Sequence, residues 1–207
     1  MSVTVDNLVE KAPQNSTMEE IRRAECFVLD KIDWAVVYVY PEMMNKNCPY
    51  IYNWDKQRLF ELADFVDKIV LDVGAGTGRL TFAAAEKAKH VYASEPVDSL
   101  REFMRDKIKS ENIPNVTVLD GVVTRLPYED NTFDIAMSGH VVGDDFEAEI
   151  KELERVTKHG GWLLDCIGEN SGKDKPRKEM LDAGFEYLYY LGKTNGDIYR
   201  YRKQVNK

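Results

Sequence analysis

The chain has 207 residues, 43% apolar and 31% charged, and its 36 acidic against 28 basic side chains leave a net charge of −8. That length suits one globular domain with a small appendage, and the acidic balance carries no basic footprint for DNA or RNA. Cys26, Cys48 and Cys166 stand far apart without a C-x-x-C pair, and there is neither a secretory leader nor a run approaching about 18 apolar residues, so a metal site, a disulfide framework and a membrane span are not expected and a reducing cytoplasm is.

Ser16 and Glu19, at capping-box spacing, open a predicted helix over residues 16–32 with Ile21, Phe27, Val28 and Ile32 facing inward. An aromatic stretch follows, with Trp34, Tyr38, Tyr40, Tyr50, Tyr52 and Trp54, and "KQRLFELADFV" then resumes helical periodicity. Residues 1–60 thus read as an accessory or lid segment before a core domain over 61–207. From "KIVLDV" onward the pattern alternates: strand, helix "GRLTFAAAEKA", strand "HVYASE", helix "VDSLREFMRDKIKSE", strand "VTVLDG", strand "FDIAMSG", helix "EAEIKELERVTK", strand "GWLLDCIG". Such alternation predicts right-handed βαβ units in a parallel sheet covered on both faces. The tail departs from it. After a helical "KPRKEMLDAG", the segments "FEYLYYLGKT" and "DIYRYRKQV" flank Asn195-Gly196, a strong hairpin signal that predicts an antiparallel pair at the sheet's end.

"VLDVGAGTGRL" places Gly74, Gly76 and Gly78 where the first strand meets a helix. Bare backbone there allows a sharp turn and brings N–H groups close to a ligand. A P-loop would end in G-K-[ST], and a dinucleotide fingerprint would need glycine at position 79, where Arg79 stands. Glu95 closes the second strand, where a carboxylate can accept both hydroxyls of a ribose.

"VLDVGAGTGRL", "VYASEP", "LPYEDNTFDIAMSGH" and "ELERVTKHGGWLL" together resemble the successive motifs of class I S-adenosylmethionine-dependent methyltransferases, most closely the type 11 group that includes quinone-biosynthesis and other small-molecule enzymes. The resemblance spans roughly residues 68 to 167. It implies a doubly wound, Rossmann-like, mostly parallel seven-stranded α/β sheet with an antiparallel C-terminal hairpin strand. It also implies S-adenosylmethionine as cofactor and S-adenosylhomocysteine as product. On this likeness Asp72, Gly74, Ala75, Gly76 and Gly78 surround the methionine part, Glu95 and Pro96 the ribose, and Gly121, Val122, Val123 and Ser138 complete the cofactor site. The family often reads "GDAExLPF" where this chain reads "GVVTRLPY", so Val122 occupies the place of the adenine-contacting carboxylate. Val123 N–H remains for the ring, and Asp120 stands two residues upstream as a substitute, so weakened rather than abolished recognition is expected.

His140, just past the fourth strand, is the candidate catalytic base for a protonated acceptor, since histidine titrates near 6.5. Asp144 and Asp145 are weaker alternatives for that role and read rather as caps of the next helix. Tyr50, Tyr52 and Trp54, with His140, are candidate contacts for a small-molecule acceptor, ring faces being suited to a planar or cationic group. "NCPY", residues 47–50, has a superficial likeness to the N-P-P-Y site of base-methylating enzymes but lies too close before the glycine loop. Two other readings stand beside small-molecule methyl transfer: a non-catalytic domain that binds S-adenosylmethionine or its product, and an NAD-dependent oxidoreductase.

Overall fold

The computed structural model of the chain describes residues 15–32, 36–48, 51, 54–167, 175–191 and 197–207. It divides into two compact units, Met1–Val36 and Val37–Lys207, so residues 37–60, expected with the accessory segment, count geometrically with the larger one.

In the first unit α1 (Met18–Ile32) opens on a reciprocal cap one residue later than its expected start. Thr17 Oγ1 accepts from the Glu20 N–H at 3.3 Å and Glu20 Oε2 accepts from the Thr17 N–H at 2.8 Å, while Glu19 turns to Arg23. Ile21, Phe27 and Val28 were expected to face inward and are instead exposed. Within its own unit this helix has no second described apolar face to bury them against. The side chain of Ile32 lies outside the described ones.

Short helices α2 (Val36–Val39), α3 (Pro41–Asn47) and α4 (Gln57–Phe60) lead into the core of the second unit. The expected helix through Val66 ends after one turn, at Phe60. Asp64 accepts from the Val66 N–H at 3.0 Å and Asp67 adopts a left-handed φ of 59°, so Leu59 is buried from α4 but successive turns, rather than a longer helix, bury Leu62 and Phe65. The remaining elements are β1 (Ile69–Val73), α5 (Arg79–Ala85), β2 (His90–Ser94), α6 (Asp98–Ser110), β3 (Val116–Leu119), β4 (Phe133–Ser138), α7 (Phe146–Val156), β5 (Thr157–Asp165), α8 (Lys178–Asp182), β6 (Glu186–Leu191) and β7 (Asp197–Gln204). The fifth strand begins at Thr157 rather than at the expected Gly161.

These strands form one seven-stranded sheet in the order β3-β2-β1-β4-β5-β7-β6. β1 to β5 are parallel, and β7 runs antiparallel to both β5 and β6, as the tail pattern predicts. The turn residues Asn195 and Gly196 lie outside the described residues. The chain winds outward from β1 in one direction and from β4 in the other, so a crevice opens beyond the carboxyl ends of those two strands. Burial explains the strand composition. Val70 of β1 faces the cluster of Leu80, Ala84 and Met104, while Leu71 and Val73 face that of Phe133, Ile150 and Leu153. Asp72 shares the side of Val70 and therefore looks toward α5. Among the described residues no helix is long and apolar enough to cross a membrane.

Candidate active site

The turn after β1 folds back onto the end of β2: Gly74 and Ala75 donate their N–H groups to the Ser94 carbonyl at 2.8 and 3.1 Å. Gly74 has a left-handed φ of 64°, and a Cβ there would stand 2.2 Å from Val141 Cγ2. At Gly78 the added carbon would meet the Phe82 ring at 2.3 Å. Bare backbone at these two positions is thus demanded by the chain's own side chains. Gly76 differs, since its nearest neighbour would be Met44 Cε at 3.5 Å. There the loop is open to a ligand, beneath α3. Thr77 donates its hydroxyl to Asn45 Oδ1 at 2.6 Å, fastening α3 to the loop, and Met44 is buried over it.

Glu95 is buried at the end of β2, with Oε2 accepting from the Gly76 N–H and Oε1 from the Val97 N–H, both at 2.9 Å. Burial raises its carboxyl above the ordinary range, against those two donors. Asp72 accepts from the Thr81 hydroxyl at 2.6 Å, and its burial pushes its pKa up to about 7 despite that bond and the Arg79 cation. A carboxyl whose pKa is higher folded than unfolded binds more protons when folded, so stability is lost as pH rises toward the folded value. Asp72→Asn removes that slope. Between pH 5 and 8 the wild type is expected to lose roughly 2 to 3 kcal/mol more than the variant, at about 1.4 kcal/mol per pKa unit. Urea unfolding at the two pH values measures it, and parallel losses in both proteins would dismiss the assignment.

A cavity of about 330 Å³ lies at the crevice. Its wall contains the predicted residues Asp72, Gly74, Ala75, Gly76, Glu95, Pro96, Gly121, Val122, Val123 and His140. Gly78 and Ser138 stand outside it, Ser138 being buried with its hydroxyl 3.3 Å from Asp165 Oδ1. Trp54 also stands outside, in the wall of a neighbouring cavity, with the Arg79 and Arg200 guanidinium carbons 4.8 and 5.7 Å from its ring. Tyr50 and Tyr52, with Pro49 of the N-C-P-Y stretch and Trp34, lie outside the described residues.

His140 follows β4 in a left-handed conformation, φ 66°, and opens to the cavity. Desolvation by the surrounding wall, aided by the Arg79 cation, lowers its pKa to about 4, so it is neutral at physiological pH and a weaker base than the sequence indicates. Asp145 caps α7 as expected, accepting from the Ala148 N–H, while Asp144 lines the cavity. Glu149, buried and absent from the sequence candidates, holds the loop between them by accepting from the Gly143 N–H at 2.7 Å and the Asp145 N–H at 3.1 Å. In the sequence Arg79 stands only as the absence of a glycine. It lines the cavity and donates to the Cys166 carbonyl at 2.7 Å, joining the start of α5 to the chain after β5. A cation in the first turn of a helix, where the dipole favours anions, is the signal that marks it. Near the other end Arg101 donates to the carbonyls of Glu95 and Pro96 at 2.8 and 2.7 Å, and to the carboxylates of Asp98 and Asp120 at 2.8 and 3.3 Å.

Residues 71–165 match the family described as "Methyltransferase domain", and the strand order, glycine loop and strand-end glutamate all lie in or beside that span. This chain carries a class I S-adenosylmethionine-dependent methyltransferase domain. The domain is similar to the demethylmenaquinone methyltransferase of Listeria welshimeri, 30% identical over 124 residues that cover 58% of this chain and 52% of that protein. To the enzyme of the same name from Geobacillus stearothermophilus it is 31% identical over 143 residues, 67% of this chain and 57% of the relative. The chain therefore spans a little over half the length of these relatives. Its fold is also that of a SAM dependent methyltransferase from Aquifex aeolicus, with a TM-score of 0.60 at 21% identity over 78% of this chain and 95% of the other.

Proposed function

We propose that the protein transfers a methyl group from S-adenosylmethionine to a small-molecule acceptor by in-line displacement. The observation that carries this reading is Glu95, buried at the end of β2 and bonded to Gly76, so that one carboxylate faces both the open part of the glycine loop and the cavity. The cavity volume of about 330 Å³ falls within the range of about 300–1,000 Å³ usual for small-molecule sites. Its donor set suits the cofactor: Glu95 for a hydroxyl pair, Asp72 for an ammonium, and the apolar wall at Pro96, Val97 and Val122 for a base. When bound, the cofactor supplies an electrophilic methyl on a sulfonium whose charge is lost in the transfer.

The chain's own residues contribute alignment and dryness. Gly76 and Glu95 fix the donor side, Met44 and α3 shield the loop from water, and the loop from His140 to Asp144 borders the space left for the acceptor. Holding two reactants in line is worth roughly 7–11 kcal/mol. His140, neutral, takes the proton of an acceptor that carries one. The family match does not favour a non-catalytic binder or a nicotinamide enzyme. The likeness to the Listeria and Geobacillus demethylmenaquinone methyltransferases supports quinone-related rings as the first acceptors to assay.

Thermal unfolding with candidate ligands tests the reading. S-adenosylhomocysteine at 100 times its Kd is expected to add about 2.7 kcal/mol of stability and NAD none; the reverse result overturns it. With an accepted substrate, His140→Ala is expected to lower kcat by about 100-fold, the low end for general-base catalysis. Its affinity for S-adenosylhomocysteine should stay unchanged, and kcat at saturating donor should show its acid limb near pH 4. A limb near 6.5, or full activity in the variant, removes His140 from the chemistry.

A further inference from the structure

The cavity is polar at one end and apolar at the other. Glu95 divides it: on one side stand Asp72 and the glycine loop, on the other Pro96, Val97, Gly121, Val122 and Val123. An adenosyl cofactor has its amino acid, ribose and base in fixed order. With its ribose at Glu95 and its ammonium toward Asp72, the base has the apolar end. Adenine brings a 6-amino group with two N–H donors, and among the described residues of that end no side chain accepts a hydrogen bond.

The neighbouring positions do not repair this. Asp120, the expected substitute, is held by Arg101 at 3.3 Å, is 74% exposed, and stands outside the cavity wall. Gly121 itself carries no side chain, and a Cβ there would be tight, 3.2 Å from Pro127 Cδ and 3.3 Å from Ser94 Oγ. Val122, where a carboxylate would reach the amine, is instead apolar and 47% exposed. A buried donor without an acceptor is costly, so the amine is accommodated only if its edge meets water, and a half-exposed wall at Val122 leaves it that route.

We infer that this pocket grips the purine by its faces and leaves the 6-amino edge unread, so that adenosyl ligands substituted on N6 are accepted almost as well as the parent compound. The inference rests on the methyl-donor reading above and concerns which part of that donor is selected. Val122 is the specificity-determining residue.

Isothermal titration of the full chain with S-adenosylhomocysteine and its N6-methyl and N6,N6-dimethyl derivatives tests it. The three Kd values are expected to agree within about threefold, well short of the roughly tenfold loss that one hydrogen bond of about 1.4 kcal/mol would impose. A tenfold or larger loss on N6-methylation overturns the inference while leaving the donor reading intact. No binding of the parent compound overturns the donor reading and the inference with it. Val122→Asp should restore discrimination, tightening S-adenosylhomocysteine about tenfold through a charge-assisted bond and leaving the dimethyl derivative unchanged. Equal gains for both ligands would remove Val122 from the amine edge, and the wild-type series decides the matter even if the variant does not fold.

Discussion

Gly74→Ala is expected to destabilise the fold by about 2 to 5 kcal/mol. Two costs combine: about 1–2 kcal/mol for an L side chain in the left-handed region, and about 1–3 kcal/mol for overpacking against a neighbour. Both causes are visible at this residue, in its φ of 64° and in the 2.2 Å between the new carbon and Val141 Cγ2. Val141→Ala separates them. In the double variant the steric part should return while the backbone part remains, so a denaturant double-mutant cycle should give a coupling of about 1–3 kcal/mol, as expected for residues in contact. A cost below about 1 kcal/mol for Gly74→Ala, lower than the left-handed penalty alone, would mean that the turn is not held in this shape. Because Val141 adjoins His140, the same contact joins the donor loop to the loop that borders the acceptor space.

Glu95→Ala should weaken S-adenosylhomocysteine at least 100-fold, or about 2.7 kcal/mol. The alanine removes the acceptor for two ribose hydroxyls, and bonds to a charged acceptor are worth about 1.5–3 kcal/mol each. It also strips Gly76 and Val97 of the oxygens that receive their N–H groups, loosening the glycine loop where it lines the cavity. Glu95→Gln retains one oxygen and sets an amide donor against the other N–H. An intermediate loss of about tenfold is therefore expected, the size of one mispaired bond. Calorimetry measures both, with a denaturation curve to show that each variant is folded. A Kd within threefold of wild type for the alanine variant would remove Glu95 from the cofactor site.

Much of the fold was legible because a parallel sheet with helices on both faces imposes a coarse alternation that strand composition and turn residues repeat. The misreadings are local. Ser16 with Glu19 and Thr17 with Glu20 have the same spacing, and only the path of the backbone selects the second pair. "KQRLFELADFV" has helical periodicity, yet only Leu59 is buried from the helix, and turns after Phe60 bury Leu62 and Phe65. Glu95 and the glycines were legible since a strand end and a turn fix their neighbourhood within the sequence itself. Arg79 was not, because its partners, Trp54 and the Cys166 carbonyl, come from distant parts of the chain. The low pKa of His140 has the same origin: a wall assembled through space and the Arg79 cation, neither of which a residue type or a spacing encodes.

Arg101 has a consequence for how a ligand is received. Its side chain, 12% exposed, gathers the carbonyls after β2 and the carboxylate of Asp120 after β3, so the two loops that form the apolar end of the cavity are joined by the chain's own contacts. Ordering a mobile side chain on binding costs about 0.5–1.5 kcal/mol of conformational entropy. Here that ordering belongs to folding. The spacing of those two loops is set by the chain's own hydrogen bonds, so a flat ring of matching thickness meets walls already held in place.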